Sequence, residues 1–313
     1  MDLLAGWILP GCKAAGRFHR IAVAARARCG VKFGLYGINV GPCAEPETAA
    51  RVARAAEDAG FDSVWTAEHV VLPDPQAPPA PVGPEVPILD PAVALAHLAA
   101  HTARLRLATG IIILPQRNPL VLAKELASVD VVSRGRLVFG FAAGSLEAEF
   151  RALGAPFEER GARCDEHLEA ILALWTQEKP AFRGRSFAFE GVDAQPRPVQ
   201  KPHPPLVVGG QSPPAYRRAA RYANGWYGFL TDLEATRAAV AGLETARARV
   251  ARPAARGPLE LTVTPPPQLD LDTACRYRDL GVERLVLLPP AADGDGLVAF
   301  VERAAEELVR KLA

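Results

Sequence analysis

Two hydrophobic rhythms alternate along the chain from residue 32 to its end. Compact apolar runs at 32–38, 61–67, 105–114 and 136–141 are each followed by a stretch whose apolar positions recur every three or four residues, as Val52, Ala55, Ala56 and Ala59 do. Such a run suits a strand buried on both faces, and the longer spacing suits a helix lying over it. Four more runs follow at 205–208, 225–229, 259–264 and 283–288. Helices are expected over 46–59, 91–102, 120–132, 213–223, 233–250 and 271–280, with 296–312 closing the chain. The punctuation agrees: Gly60 ends the first helix, and Asp90-Pro91 supplies an N-cap and a first helical position for the second. Eight strands, each followed by a helix, predict an α/β fold of the (β/α)8 TIM-barrel type.

The interval between the fourth and fifth strands is much longer than the others, with a helix near 164–175 and an aromatic stretch at 182–189. Insertions of this kind lie at the strand C-terminal face and shape the active site, so this one, with the proline-rich loop at 73–87, is expected to border the pocket. Residues 1–30 break the pattern, being rich in Arg, Ala and Gly around one short apolar patch. That patch is too short for the apolar core of a signal peptide. Residues 1–30 are therefore read as a disordered extension or a stretch ahead of a true start near Val31, and 31–313 as a single barrel domain.

Composition works mainly by exclusion. Lys and Arg total 36 against 35 Asp and Glu, a formal charge of +1, so no global field draws the protein to nucleic acid or anionic lipid. The 49% hydrophobic content is that of a chain able to bury a large core, yet no apolar run approaches the roughly 18 residues that span a bilayer. Cys12, Cys29, Cys43, Cys164 and Cys275 are scattered, with no Cys-x-x-Cys pair, and read as reduced thiols of a cytoplasmic protein.

Candidate chemistry gathers at strand ends. His69 closes the second strand on the face where such barrels place catalysis, and its imidazole suits proton transfer or hydrogen bonding there. Gly110, inside the third strand between Thr109 and Ile111, marks a bulge or a close backbone approach. Gly209-Gly210-Gln211-Ser212 joins the fifth strand to a helix starting at Pro213, and free amides, a hydroxyl and a helix N-terminus make an anion site suited to phosphate. His97 and His101 stand four apart on one helix, but the Glu of a His-Glu-x-x-His zinc motif is absent and no metal is expected. Arg247, Arg249, Arg252 and Arg256 cluster near a helix C-terminus and are expected to stay solvated.

Several stretches, in order, resemble the luciferase-like monooxygenase superfamily, and in particular its coenzyme F420-dependent oxidoreductase branch. They are Lys32-Phe-Gly-Leu, Ala59-Gly-Phe-Asp-Ser-Val-Trp with Glu68-His69, Leu107-Ala-Thr-Gly-Ile and Arg117-Asn-Pro. Asp130-Val-Val-Ser-Arg-Gly-Arg-Leu, Leu174-Trp-Thr, Pro205-Leu-Val-Val-Gly-Gly and Ala223-Asn-Gly-Trp complete the set. The resemblance implies His69 near the cofactor ring as the catalytic residue. It implies a non-proline cis peptide within Thr109, Gly110 and Ile111, and cofactor contacts from those three, Asn118, Ala142, Gly144 and Gly209 to Ser212. It also implies F420-dependent hydride transfer to or from a small organic substrate, with an FMN-dependent monooxygenase as the alternative, and a homodimer by analogy. The fourth-strand loop departs from the pattern: Ser145 follows Gly144 where some relatives carry a catalytic glutamate. Glu147 and Glu149 are read as an exposed helix face, which keeps a non-catalytic flavin-binding relative in play. A metal hydrolase would need His and Asp at several strand ends, and only His69 clearly sits at one.

Overall fold

The computed structural model describes residues 30–252, 256–290 and 292–312. Of the stretch expected to be an N-terminal extension, all but Gly30 lies outside the described residues. The strands are β1 Lys32–Tyr36, β2 Ser63–Thr66, β3 Arg106–Thr109, β4 Ile112–Ile113, β5 Leu137–Ala142, β6 Phe182–Arg183, β7 Ala188–Phe189, β8 Leu206–Gly209, β9 Gly225–Gly228, β10 Glu260–Val263 and β11 Arg284–Leu287. The principal helices are α1 Pro46–Asp58, α2 Pro91–His101, α3 Pro119–Val132, α4 Glu147–Ala152, α5 Arg160–Thr176, α6 Pro213–Tyr222, α7 Leu233–Arg249, α8 Leu271–Asp279 and α9 Gly294–Ala304.

Parallel pairing runs β3-β2-β1-β11-β10-β9-β8-β5, and β5 pairs back onto β3, closing an eight-stranded parallel barrel ringed by helices. The apolar run at 105–114 is not one strand. Its backbone is interrupted at the cis peptide Gly110–Ile111, and β4 resumes beyond it along β5, pairing Ile112 with Phe141 and Ile113 with Ala142. The insertion after β5 contributes α4, α5 and the antiparallel hairpin β6–β7, which accounts for the aromatic stretch at 182–189. At the C-terminus the expected helix ends early: α9 gives way to a π-helical turn, Ala305–Val309.

Alternation along the strands sorts side chains into two cores. Phe33, Leu35, Val64, Leu107, Phe139 and Leu285 point outward and pack with the helices. Trp65, Ala108, Val138, Val207, Tyr227 and Val286 fill the interior. Trp65 is the largest of these, and the chain makes room for it at Gly34, where an added Cβ would lie 2.8 Å from the indole Nε1. Tyr36, Ile111 and Phe229, from the C-terminal ends of three strands, pack on this inner core and face the mouth.

The N-terminal end of the barrel is closed by charge. Arg284 is buried, donating from Nε to Asp62 Oδ1 at 2.6 Å and from Nη1 to Glu260, which Lys32 also reaches at 3.2 Å. Part of the basic cluster after α7 is likewise not solvated. Arg252 donates to the Ala220 and Ala223 carbonyls, at 3.2 and 2.7 Å, and Arg256 to that of Tyr222, so both satisfy the C-terminal end of α6.

Candidate active site

The segment leaving β2 is held from three sides. Asn39, fully buried, donates to the Ala67 and Leu89 carbonyls at 2.9 and 2.6 Å and accepts from the Ala67 amide at 2.8 Å. Glu68 accepts from the Ile113 amide and from Arg117 Nε at 2.7 Å, tying the segment after β2 to the end of β4. Burial pushes the Glu68 carboxyl above its ordinary pKa against the pull of Arg117. Arg117 also reaches Asp90 at 2.6 Å, which links this network to the cap of α2.

His69 comes next, and its partner is a residue the sequence places elsewhere. Glu149 is not on an exposed face. It is buried, with Oε2 3.1 Å from His69 Nδ1 and Oε1 accepting the Val70 amide at 2.6 Å. Glu147 is the exposed one, paired with Arg151 at 2.9 Å. The spacing holds the reason: Leu146 and Phe150 are both buried, and Glu149 shares their side of the short helix. Burial raises the Glu149 carboxyl, but the hydrogen bond and charge of the His69 side chain and the bond from the Val70 amide favour the charged form, so its pKa lies below the ordinary carboxylate value. Among the described residues no hydrogen-bond partner meets His69 Nε2, and its side chain is 17% exposed where that of Glu149 is 0%.

The wall beside it is built around Ile111. The Thr109 hydroxyl donates to the Gly140 carbonyl at 2.7 Å and accepts the Gly140 amide at 2.8 Å, taking the place of a backbone rung between β3 and β5. Thr109 is thus part of the wall, fully buried. Beyond it the Gly110–Ile111 peptide is cis. Ile111 then lies over two glycines, since an added Cβ would stand 2.6 Å from its Cδ1 at Gly209 and 3.2 Å from its Cγ2 at Gly140. Gly144, at φ +81°, abuts Ile113 and Phe150 just as closely, and Ala142 pairs with Ile113 in the sheet. Thr109, Gly110, Ile111, Ala142, Gly144 and Gly209, dispersed in sequence, therefore meet at one sector of the mouth.

The turn after β8 is leaner in donors than its glycines suggest. α6 opens on Pro213-Pro214, which carry no amide hydrogens, and the Ala215 amide is taken by the Ser212 hydroxyl at 3.4 Å. The Gly210 amide bonds Tyr227 O, and the Gln211 side chain donates to Phe229 O and Thr231 Oγ1 at 3.0 and 3.1 Å. Among the described residues, the amides of Gln211 and Ser212 have no acceptor, and these with the Ser212 hydroxyl proton are the donors left at the exposed N-terminus of α6. Asn118 stands apart. It is exposed, and its Oδ1 accepts the Leu120 and Val121 amides at 3.0 and 3.3 Å, so its side chain caps α3.

The His97 and His101 rings lie 4.5 Å apart and tilted, bonded to Pro46 O and Arg54, and among the described residues no group of three or more His, Cys, Asp or Glu could hold a metal ion. No described helix is long and apolar enough to cross a membrane. A separate cavity of about 340 Å³ lies between the loop after β10 and α9, walled by Pro266, Leu269, Leu287, Phe300 and Leu308; none of the sequence-predicted site residues lines it.

Comparison with known proteins places these features in context. Residues 30–280 match the family model described as luciferase-like monooxygenase. An uncharacterized protein of Mycobacterium tuberculosis is 33% identical over 270 residues, covering 83% of this chain and 94% of its own. The FMNH2-dependent dimethylsulfone monooxygenase of Pseudomonas putida is 34% identical over 139 residues, 43% of this chain and 38% of that one. In structure, the coenzyme F420-dependent tetrahydromethanopterin reductase of Methanopyrus kandleri superposes with a TM-score of 0.72 at 17% identity, over 91% of this chain and 100% of that chain.

Proposed function

Since the chain belongs to the luciferase-like monooxygenase family, we propose that it is an oxidoreductase holding a reduced flavin-type cofactor across the C-terminal mouth of its barrel, and that this cofactor is coenzyme F420. Relatives named above use F420 or FMN by their own descriptions. The observation that carries the reading is the close packing of Ile111 on Gly140 and Gly209, just beyond the cis Gly110–Ile111 peptide, at the C-terminal ends of the strands. A planar ring needs such a bed, and a side chain at either glycine would disturb it.

The residues present fit the group. The free amides of Gln211 and Ser212, the Ser212 hydroxyl and the positive end of α6 would hold its phosphate-bearing tail, with Gly210, at φ +117°, setting the turn. Gly110 and Ile111 would back the ring, Ala142 and Gly144 would leave it room, and Thr109 and Asn118 would act through the wall and the cap of α3. When bound, the reduced cofactor supplies hydride transfer to or from a small organic substrate. The protein orients the reactants, excludes water, and offers His69 Nε2 as the atom that holds or releases a proton.

A second reading, an FMN-dependent monooxygenase using dioxygen, is favoured by the P. putida relative. Anaerobic titration of the purified protein with reduced F420 and reduced FMN separates the two. Saturable binding of F420 is expected, weakened by Gly209→Val, which displaces Ile111. Saturable binding of FMN alone would move the assignment to the monooxygenase, and binding of neither would remove both.

A further inference from the structure

The Glu149–His69 contact spans 80 positions of sequence, and neither residue is needed for the barrel ladder. Both oxygens of Glu149 are engaged on the same short segment: Oε2 at His69 Nδ1, and Oε1 at the amides of Val70, 2.6 Å, and Val71, 3.4 Å. A carboxylate so placed accepts and cannot donate. A glutamic acid donating its proton to Nδ1 would contradict the balance around Glu149, where the surrounding donors outweigh burial and hold it ionised at neutral pH. Nδ1 must then carry the hydrogen. Which nitrogen of a histidine is protonated is set by the hydrogen bond the other one makes.

We infer that Glu149 is a positioning residue that locks His69 in the Nδ1–H tautomer and turns Nε2, the nitrogen with no partner among the described residues, into the proton-accepting atom at the barrel mouth. The role deepens the reading of His69 given above and rests on it for its functional consequence alone. α4 thereby has a task beyond packing: Leu146 and Phe150 anchor it to the core, and Glu149 extends from that anchored face to the end of β2. The device resembles a carboxylate behind a histidine in other enzymes, where the wrong tautomer costs activity although the geometry survives.

The substitution that tests this is Glu149→Gln. It keeps the volume and an oxygen for the Val70 amide but presents an NH2 to Nδ1, which must then accept. In cofactor-free, 15N-labelled protein, two-bond 1H–15N correlation at neutral pH reads the tautomer directly, with the His69 signals assigned by their loss in His69→Asn. The wild type is expected to show a protonated-type Nδ1 and an unprotonated-type Nε2, and Glu149→Gln the reverse. Glu149→Asp, which retains an acceptor-only group, is expected to keep the wild-type pattern and guards against loss of fold in the amide variant. Carbethoxylation of Nε2 by diethylpyrocarbonate, followed by mass spectrometry, should be slower in Glu149→Gln than in wild type. A wild-type ring protonated on Nε2, or a pattern unchanged in Glu149→Gln, would overturn the inference. Failure of the protein to bind either reduced cofactor would instead strike the functional reading and leave the tautomer result standing.

Discussion

At the scale of single residues, the wall of the site depends on a hydroxyl more than on any apolar contact. Thr109 Oγ1 satisfies both the amide and the carbonyl of Gly140, where an added Cβ would stand only 2.0 Å from the Thr109 carbonyl oxygen. Thr109→Val keeps the shape and orphans two buried backbone groups, a loss of about 2–4 kcal/mol. Thr109→Ser keeps the bonds and is expected to cost about 1 kcal/mol or less. Urea unfolding of both variants checks this, and a valine variant as stable as the serine one would refute the role given to the hydroxyl. The same residues show what a sequence exposes. Gly110 and Gly209 stand out because glycine in a strand marks a bulge or a close backbone approach, and Thr109 stands out only as the neighbour of Gly110. Glu149 is hidden because its meaning lies in a contact 80 positions away, although its place between buried Leu146 and Phe150 was a legible hint. Asn118 has a plainer account beside the one the resemblance implies. Asn-Pro at a helix start has the same form as Asp90-Pro91, and both side chains cap their helices.

At the scale of elements, strand and helix order was readable because each apolar run had one role, and it failed where tertiary contacts outweighed the local pattern. The run at 105–114 looks uniform, but closing β3 and β4 against β5 around Ile111 divides it. The hairpin β6–β7 is too short to carry a strand period and is held instead from α5. Glu166 accepts the Arg185 and Ser186 amides at 3.0 and 2.8 Å and the Ser186 hydroxyl at 2.7 Å. Slight burial raises its carboxyl, the Ser186 and Arg185 donors outweigh this, and the pKa falls to about 2, so the anchor stays charged at neutral pH. Glu166→Ala is expected to speed proteolytic cleavage at the turn between β6 and β7 while shifting global stability by only about 0.5 kcal/mol. Limited proteolysis with mass mapping decides; an unchanged cleavage rate would mean the hairpin is fixed by Phe187 and Phe189 packing alone.

At the scale of the whole molecule, the barrel separates stability from chemistry along its axis: a charged floor, an aromatic middle of Trp65 and Tyr227, and a glycine-lined mouth. Arg284 is the centre of the floor, and Asp62 is its partner from just ahead of β2, the strand two places away in the closed sheet. Burial raises the Asp62 carboxyl, and the charge and hydrogen bond of Arg284 lower it by more, so its folded pKa lies below the unfolded value of about 3.9. Asp62 therefore contributes its full stability above about pH 4 and loses it as pH falls through the folded pKa. Asp62→Asn removes that contribution at neutral pH, where Glu260 still holds Arg284, and is expected to cost about 1–3 kcal/mol. Thermal or urea unfolding of both proteins at neutral and at acid pH should show this gap at neutral pH and its narrowing in acid. Cofactor affinity, set at the opposite end of the axis, should not change with it. A gap that stays constant with pH would show that the aspartate acts by shape and not by charge, and a matching loss of cofactor affinity would show that the two ends of the barrel are coupled.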